Sequence, residues 1–281
     1  MSPPEWRERL LVREDSVRLS CRDWGRPAAS PSGRPVLLLH GLAGQSGEWD
    51  ALARLLRADG HHVVALDQRG HGASERRPAD TSRAAYVADV LAVLDDPGLG
   101  LGPGPVLIGQ SYGGHAALLT AAAHPSRLAA AVLVEAGPLG TEPGVVDEIG
   151  GWLRAWPVPF PSRAAAASHL GGGPVGEGWA GGLEERDGGW WPRFDPEVMV
   201  ASLAENAGRD WWPEWEAVRV PLLAVLGQHG IIPPADYEAM AARLPGPGLR
   251  GVSLPGTGHD LHLERPEVLH RLVAGFLAEL G

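Results

Sequence analysis

Short, continuous apolar runs alternate along this chain with longer stretches whose apolar positions recur at helical spacing. The runs are PVLLLH (35–40), HHVVALD (61–67), PVLIGQS (105–111), LAAAVLVEAG (128–137), VPLLAVLGQ (220–228) and LRGVSLPG (249–256). A run apolar on both faces suits a strand in a sheet covered on both sides. Ahead of them, ERLLV and SVRLSCRDWG read as a hairpin. SGEWDALARLLRADG, TSRAAYVADVLAVLDD, YGGHAALLTAAAHP and RPEVLHRLVAGFLAEL carry helical patterns. Strand alternating with helix predicts an α/β fold with a mostly parallel, doubly wound sheet. In such a sheet the ligand sits beyond the carboxyl ends of the strands, so the residues just after each strand matter most.

One stretch breaks the alternation. From about Pro138 to Glu216 no strand-like run appears, and Gly and Pro clusters such as HLGGGPVGEG separate short helical pieces. Eight of the eleven tryptophans fall here: Trp152, Trp156, Trp179, Trp190, Trp191, Trp211, Trp212 and Trp215. The expected division is a core made of residues 1–137 and 217–281, with 138–216 forming a helical, Trp-rich lid. Indoles supply contact area to a unit poor in aliphatic side chains, and a few could anchor a ligand, with Trp152 and Trp156 the candidates. No internal repeat is visible, and Pro27 to Pro35 is the one tract that reads as disordered.

Composition narrows the chemistry. The 281 residues carry 24 basic and 34 acidic side chains, a net charge of -10, so no basic footprint recommends nucleic acid or an anionic membrane as partner. Every basic residue is Arg, which excludes mechanisms that need a lysine amine, such as Schiff-base formation and P-loop phosphate binding. The single cysteine, Cys21, cannot form an internal disulfide, the start MSPPEWRERL has no apolar signal-like stretch, and no window is long enough to span a membrane. A cytoplasmic protein acting on a small molecule is the expectation, with oligomeric state left open.

The strongest chemical signal is Gly109-Gln110-Ser111-Tyr112-Gly113, placed between a strand and a helix. A serine on such a tight turn is held in strained backbone geometry, and its neighbours two positions away must be small for the turn to close. The turn projects the hydroxyl above the sheet and leaves the Tyr112 amide at a helix N-terminus, where it can face an oxyanion. With HGLAGQSGEW after the first parallel strand, DQRGHGAS after the next and GTGHDLHLERPE after the last, the chain resembles the α/β-hydrolase family from about residue 10 to its C-terminus. The resemblance implies an eight-stranded sheet with a helical cap inserted after the sixth strand. It also implies Ser111 as nucleophile, His259 as general base, and the amides of Leu42 and Tyr112 as an oxyanion hole, with no cofactor. DQRGHGAS reads as structural. HDLH offers two histidines but no third ligand of matching spacing, so no metal is expected.

The family's third residue, an acid, is missing from its usual place. Much of the family carries it in a G-x-x-D pattern after the strand that VPLLAVLGQ resembles, and here the pattern reads Gly227-Gln228-His229-Gly230. The site could take its acid from elsewhere, run as a Ser-His dyad, or have abandoned turnover. A second solution in the family puts the acid after the sixth strand, where Glu135 stands in an otherwise apolar run. A carboxylate there must be paired, and an imidazole on a neighbouring loop is a suitable partner. Asp236 and Asp260 are weaker alternatives.

These features point to a serine hydrolase that cleaves a carboxylic ester, lactone or thioester through an acyl-enzyme. The stretch WLRAWPVPF (152–160) suits a largely apolar substrate. Two other readings stand beside it: an acyltransferase or cyclase whose lid excludes water, and a ligand-binding protein without turnover.

Overall fold

The structure, a computed structural model, describes residues 5–27, 33–244 and 248–280. Residues 28–32 of the Pro27–Pro35 tract lie outside the described residues. Eight strands form the main sheet: β1 (Arg7–Val12), β2 (Arg18–Gly25), β3 (Pro35–Leu39), β4 (His62–Asp67), β5 (Val106–Gln110), β6 (Ala130–Val134), β9 (Leu222–Gly227) and β10 (Leu249–Leu254). Their order is β1-β2-β4-β3-β5-β6-β9-β10. β1 and β2 pair antiparallel, as do β2 and β4, and every other pairing is parallel.

Helices α1 (Asp50–Ala58), α2 (Arg83–Asp95), α3 (Ser111–Ala123), α9 (Pro234–Arg243), α10 (Leu261–Glu264) and α11 (Pro266–Glu279) connect or follow these strands. Strand alternation splits the core in two. Val36, Leu38, Val106 and Ile108 pack on one face with Leu52 and Leu56 of α1 and Val273 and Phe276 of α11. Leu37, Leu39 and Leu107 pack on the other with Val90 of α2 and Ala117 and Leu118 of α3. β3, β4, β5, β6 and β9 are buried along their whole length, as their unbroken apolar runs require. β10 differs. It closes the sheet's edge, and Arg250, Gly251 and Ser253 are exposed, so one side needs no apolar cover.

Between β6 and β9 come α4 (Pro143–Arg154), α5 (Arg163–His169), α6 (Gly173–Gly181), α7 (Pro196–Asn206) and α8 (Trp212–Ala217). The sequence reading missed one element here, a hairpin of β7 (Glu184–Arg186) and β8 (Gly189–Trp191). Its signal was present in Asp187-Gly188. Both residues take positive φ, 51° and 75°, the conformation a two-residue hairpin turn demands. The hairpin is tied down by mutual Phe160–Trp190 backbone bonds of 2.9 Å. Leu153, Trp156, Phe160, Phe194 and Met199 form a separate core inside this segment.

The sheet positions the chemistry through register. Leu39 pairs with Gly109, so the loops leaving β3 and β5 emerge side by side. Val134 pairs with Val225, which brings the residue after β6 against the loop after β9.

Candidate active site

Ser111 is the first residue of α3 and has a φ of 49°. A side chain in this left-handed region costs about 1–2 kcal/mol, and the surrounding packing must enforce it. The enforcement is visible in the flanking glycines. A Cβ on Gly113 would overlap the carbonyls of Leu39 and His40, and one on Gly109 would overlap the carbonyl of Gly113. Backbone cannot rotate aside, so both positions admit only glycine. Gln110, at the N-cap, makes no capping bond, and the amides of the first turn, Tyr112 among them, are left open.

Across the β3–β5 boundary lies the loop His40-Gly41-Leu42. His40 is fully buried, and burial lowers its pKa to about 4, so it is neutral. Its Nε2 accepts from the Gln68 amide at 3.0 Å, which leaves Nδ1 to donate to the Gly41 carbonyl at 2.7 Å. Gln68 Nε2 donates to the His40 carbonyl at 2.6 Å. The loop is thus pinned from three sides, with Leu42 and Tyr112 both on the cavity wall.

Glu135 directly follows β6 and is completely buried. Its φ is 51°, an unusual value for a long side chain. Oε1 accepts the Gly227 amide and Oε2 the Ile231 amide, each at 2.6 Å, and Oε2 stands 3.5 Å from His259 Nδ1. Short bonds from two amides are the charge-assisted kind that hold a buried carboxylate in place. A Cβ on Gly230 would overlap both carboxylate oxygens of Glu135. The carboxylate therefore fills the space that a side chain at position 230 would enter.

His259 sits between β10 and α10 in a loop braced by Gly258 N donating to Glu264 Oε1 at 2.9 Å and His229 N donating to the Thr257 carbonyl at 2.9 Å. Gln110, which the sequence reading passed over, contacts it directly. The Gln110 amide nitrogen lies 3.2 Å from His259 Nε2 and donates to the His259 carbonyl at 3.1 Å. With Nε2 as acceptor, the ring proton sits on Nδ1, toward Glu135. In that tautomer Nε2 carries a free lone pair, which the Gln110 amide occupies here.

Asp236 and Asp260 line the same cavity without reaching the imidazole. Asp236 lies in the first turn of α9 and Asp260 at the N-cap of α10, and among the described carboxylates Glu135 is the one bonded to His259. His262 is buried on Trp49, with ring centroids 4.8 Å apart and Nε2 3.5 Å from Glu48. Burial lowers its pKa to about 4, so the imidazole is neutral, and raises that of Glu48 well above its ordinary value. In DQRGHGAS, Arg69 is buried and spans Asp89, at 2.6 and 2.7 Å, and Asp15, at 3.2 Å.

Ser111, Glu135 and His259 all line a cavity of about 1010 Å³. Its apolar wall includes Val145, Ile149, Trp152, Trp179, Leu203 and Ile232. Trp152 is on this wall and 45% exposed. Trp156 stands one layer back, 5% exposed, with its ring against Trp152, Phe160 and Phe194. None of the described helices is long and apolar enough to cross a membrane.

Comparison with known proteins agrees with this architecture. Residues 36–272 match the Alpha/beta hydrolase family. The chain is 28% identical to a non-heme chloroperoxidase of Streptomyces lividans, over 95% of this chain and 98% of that protein. It is 27% identical to the sn-1-specific diacylglycerol lipase ABHD11 of Mus musculus, over 86% and 80%. The crystal structure of an E-2-(acetamidomethylene)succinate hydrolase superposes with a TM-score of 0.84 at 22% identity, covering 97% of this chain and 99% of that one. With the sheet order, the serine turn and a family match over most of its length in agreement, this chain belongs to the α/β hydrolase family.

Proposed function

We propose that the protein is a serine hydrolase acting on a carboxylic ester, lactone or thioester with a largely apolar body. The observation that carries this reading is Glu135, whose two amide bonds aim Oε2 at His259 Nδ1 while Ser111 opens on the same cavity. His259 Nε2 takes the Ser111 proton as Oγ adds to the substrate carbonyl carbon. The amides of Leu42 and Tyr112 hold the resulting oxyanion, and Glu135 stabilises the imidazolium without taking its proton. Collapse breaks the bond to the leaving alkoxide or thiolate, which receives that proton, and leaves an acyl-Ser111 ester. Water repeats the cycle and releases the acid. The lipase relative's name supports ester chemistry.

A second reading, acyl transfer to a substrate hydroxyl or amine, draws on the cavity volume of about 1010 Å³, which leaves room for an acceptor beside the acyl group. The test is intact mass after treatment with a small fluorophosphonate. Single rapid labelling of the wild type, none in Ser111→Ala and strongly slowed labelling in Glu135→Gln is the expected result. No labelling of the folded wild type would reject it. The ratio of hydrolysed to transferred product, measured with an added alcohol, separates the two readings.

A further inference from the structure

Arg83 is the first residue of α2 and only 3% exposed, yet its side chain lines the cavity. Its guanidinium lies over the Tyr112 ring, with Cζ 4.0 Å from the ring centroid. Nε and Nη1 are buried and have no hydrogen-bond partner. The other buried arginine among the described residues, Arg69, 1% exposed, spans Asp89 and Asp15. Among the described residues no carboxylate pairs with Arg83. Glu205 accepts the Arg83 backbone amide at 3.2 Å and spends its other oxygen on Arg209. The two phenols beside it, Tyr86 and Tyr112, have pKa values raised by burial and stay neutral.

His115 completes the recess. It is 5% exposed, packs edge-on against Trp211 at 4.9 Å and lines the same cavity. Neither ring nitrogen has a partner. Burial, and then the charge of Arg83, push its pKa well below the imidazole range, so it offers one neutral donor and one acceptor. Two nitrogens of this buried cation and both of the adjacent imidazole lack hydrogen-bond partners, which is costly because the contact with Tyr112 replaces only part of the lost hydration.

We propose that this recess binds a carboxylate carried by the substrate, with the guanidinium of Arg83 as its counter-ion and His115 as a hydrogen-bond donor. The proposal rests on the hydrolase reading above and adds a substrate class: an ester, lactone or thioester with an apolar body and a second, free carboxylate. A carboxylate fits better than a phosphate. The recess offers one positive charge and a planar fork, which match a planar monoanion, whereas a dianion would stay half uncompensated. Glu142, Asp210, Asp236 and Asp260 also line the cavity, but Glu142 and Asp210 are exposed and Asp236 and Asp260 partly so, where water screens them, and Glu135 is held by two backbone amides. Burial holds the Glu48 carboxyl well above its ordinary pKa, which disfavours its charged form.

The test compares p-nitrophenyl monoesters of dicarboxylic acids, succinate through adipate, with the same esters capped by methyl at the far carboxylate and with chain-matched esters ending in an amine. Wild type is expected to favour the free carboxylate by about tenfold or more in kcat/KM at one chain length. Arg83→Gln should collapse that ratio, and Arg83→Lys should restore part of it; fluorophosphonate labelling of Ser111 in each variant verifies the fold and the nucleophile. A wild-type preference for the capped or amine-bearing ester at every length, or an undiminished ratio in labelled Arg83→Gln, would overturn the proposal. If wild type neither labels nor turns over, the hydrolase reading fails separately, and titration calorimetry with glutarate and adipate decides the recess. Heat in wild type that is lost in Arg83→Gln upholds it, and no heat in either protein overturns it.

Discussion

The carboxylate of Glu135 and any side chain at position 230 would claim the same space. The backbone of Gly230 lies outside the left-handed region, so glycine there answers to the Glu135 carboxylate and not to a turn. One site thus admits an acid from either of two loops, but only one at a time. Asp introduced at 230 alone should clash and destabilise the protein. In Glu135→Gly the acid is gone and the positive φ is relieved, and labelling of Ser111 by fluorophosphonate should slow about a thousandfold or more. The double variant Glu135→Gly, Gly230→Asp should regain at least tenfold of that loss, because an aspartate at 230 can reach the Gly227 and Ile231 amides and the imidazole. A double variant no faster than Glu135→Gly would refute the shared-space argument.

Much of this arrangement was legible in the sequence, for reasons particular residues make plain. β3, β5 and β6 are buried along their whole length, so their apolar runs were unbroken and their ends, with His40, Ser111 and Glu135, could be placed. Glu135 stood out because a carboxylate in such a run demands a partner. Three things were hidden. The β7–β8 hairpin is too short for a periodic signal and shows only in Asp187-Gly188. Trp152 and Trp156 are four residues apart on and just after α4, and only packing separates a wall residue from a core one. Arg83 follows a capping serine at a helix start, where a charged residue is unremarked until its burial is known.

The strain at Ser111 predicts a trade of stability against reactivity. Ser111→Ala removes the hydroxyl and keeps a Cβ at a φ of 49°, whereas Ser111→Gly removes both. The glycine variant should be the more stable of the two by about 1 kcal/mol, and neither should label. Urea denaturation of the pair measures the difference directly. Equal midpoints would mean the turn is not strained in solution.

Buried neutral histidines set the pH dependence of stability. Burial lowers His40 and His262 to about 4 and His71 to about 3, and pushes His115 well down. In the unfolded chain the same rings take up protons near pH 6.5. The unfolded state therefore binds more protons as pH falls from about 6.5 toward 4, and stability is lost over that window at up to about 1.4 kcal/mol per pH unit for each ring. Above about pH 7.5 they contribute no slope. Urea midpoints should fall steeply from pH 6.5 to 4.5, by somewhat less than four rings alone would give, because the raised carboxyl of Glu48 keeps a proton the unfolded chain has released. The raised thiol of Cys21 should make them decline again toward pH 8.5. His262→Asn should remove about one proton from that slope. A flat profile through pH 5 would contradict neutral burial.

Two tryptophans four residues apart should fail in opposite ways. Trp156 is enclosed by Leu153, Phe160, Phe194 and Met199, so truncation to alanine leaves a cavity and should destabilise the protein by about 3–5 kcal/mol. Trp152 touches Trp156 and Trp179 by ring edges only, at centroid distances of 5.3 and 5.6 Å, and faces the open cavity. Trp152→Ala should change stability by less than about 1 kcal/mol. Its effect should appear in the KM of esters with long apolar acyl chains, which lose a wall, and much less in short ones. Thermal melts and KM across an acyl-chain series separate the two roles. If Trp152→Ala left every KM unchanged while melting early, the ring would belong to the core of the inserted segment and the substrate would lie against another wall, with Leu203 and Ile232 the next residues to truncate.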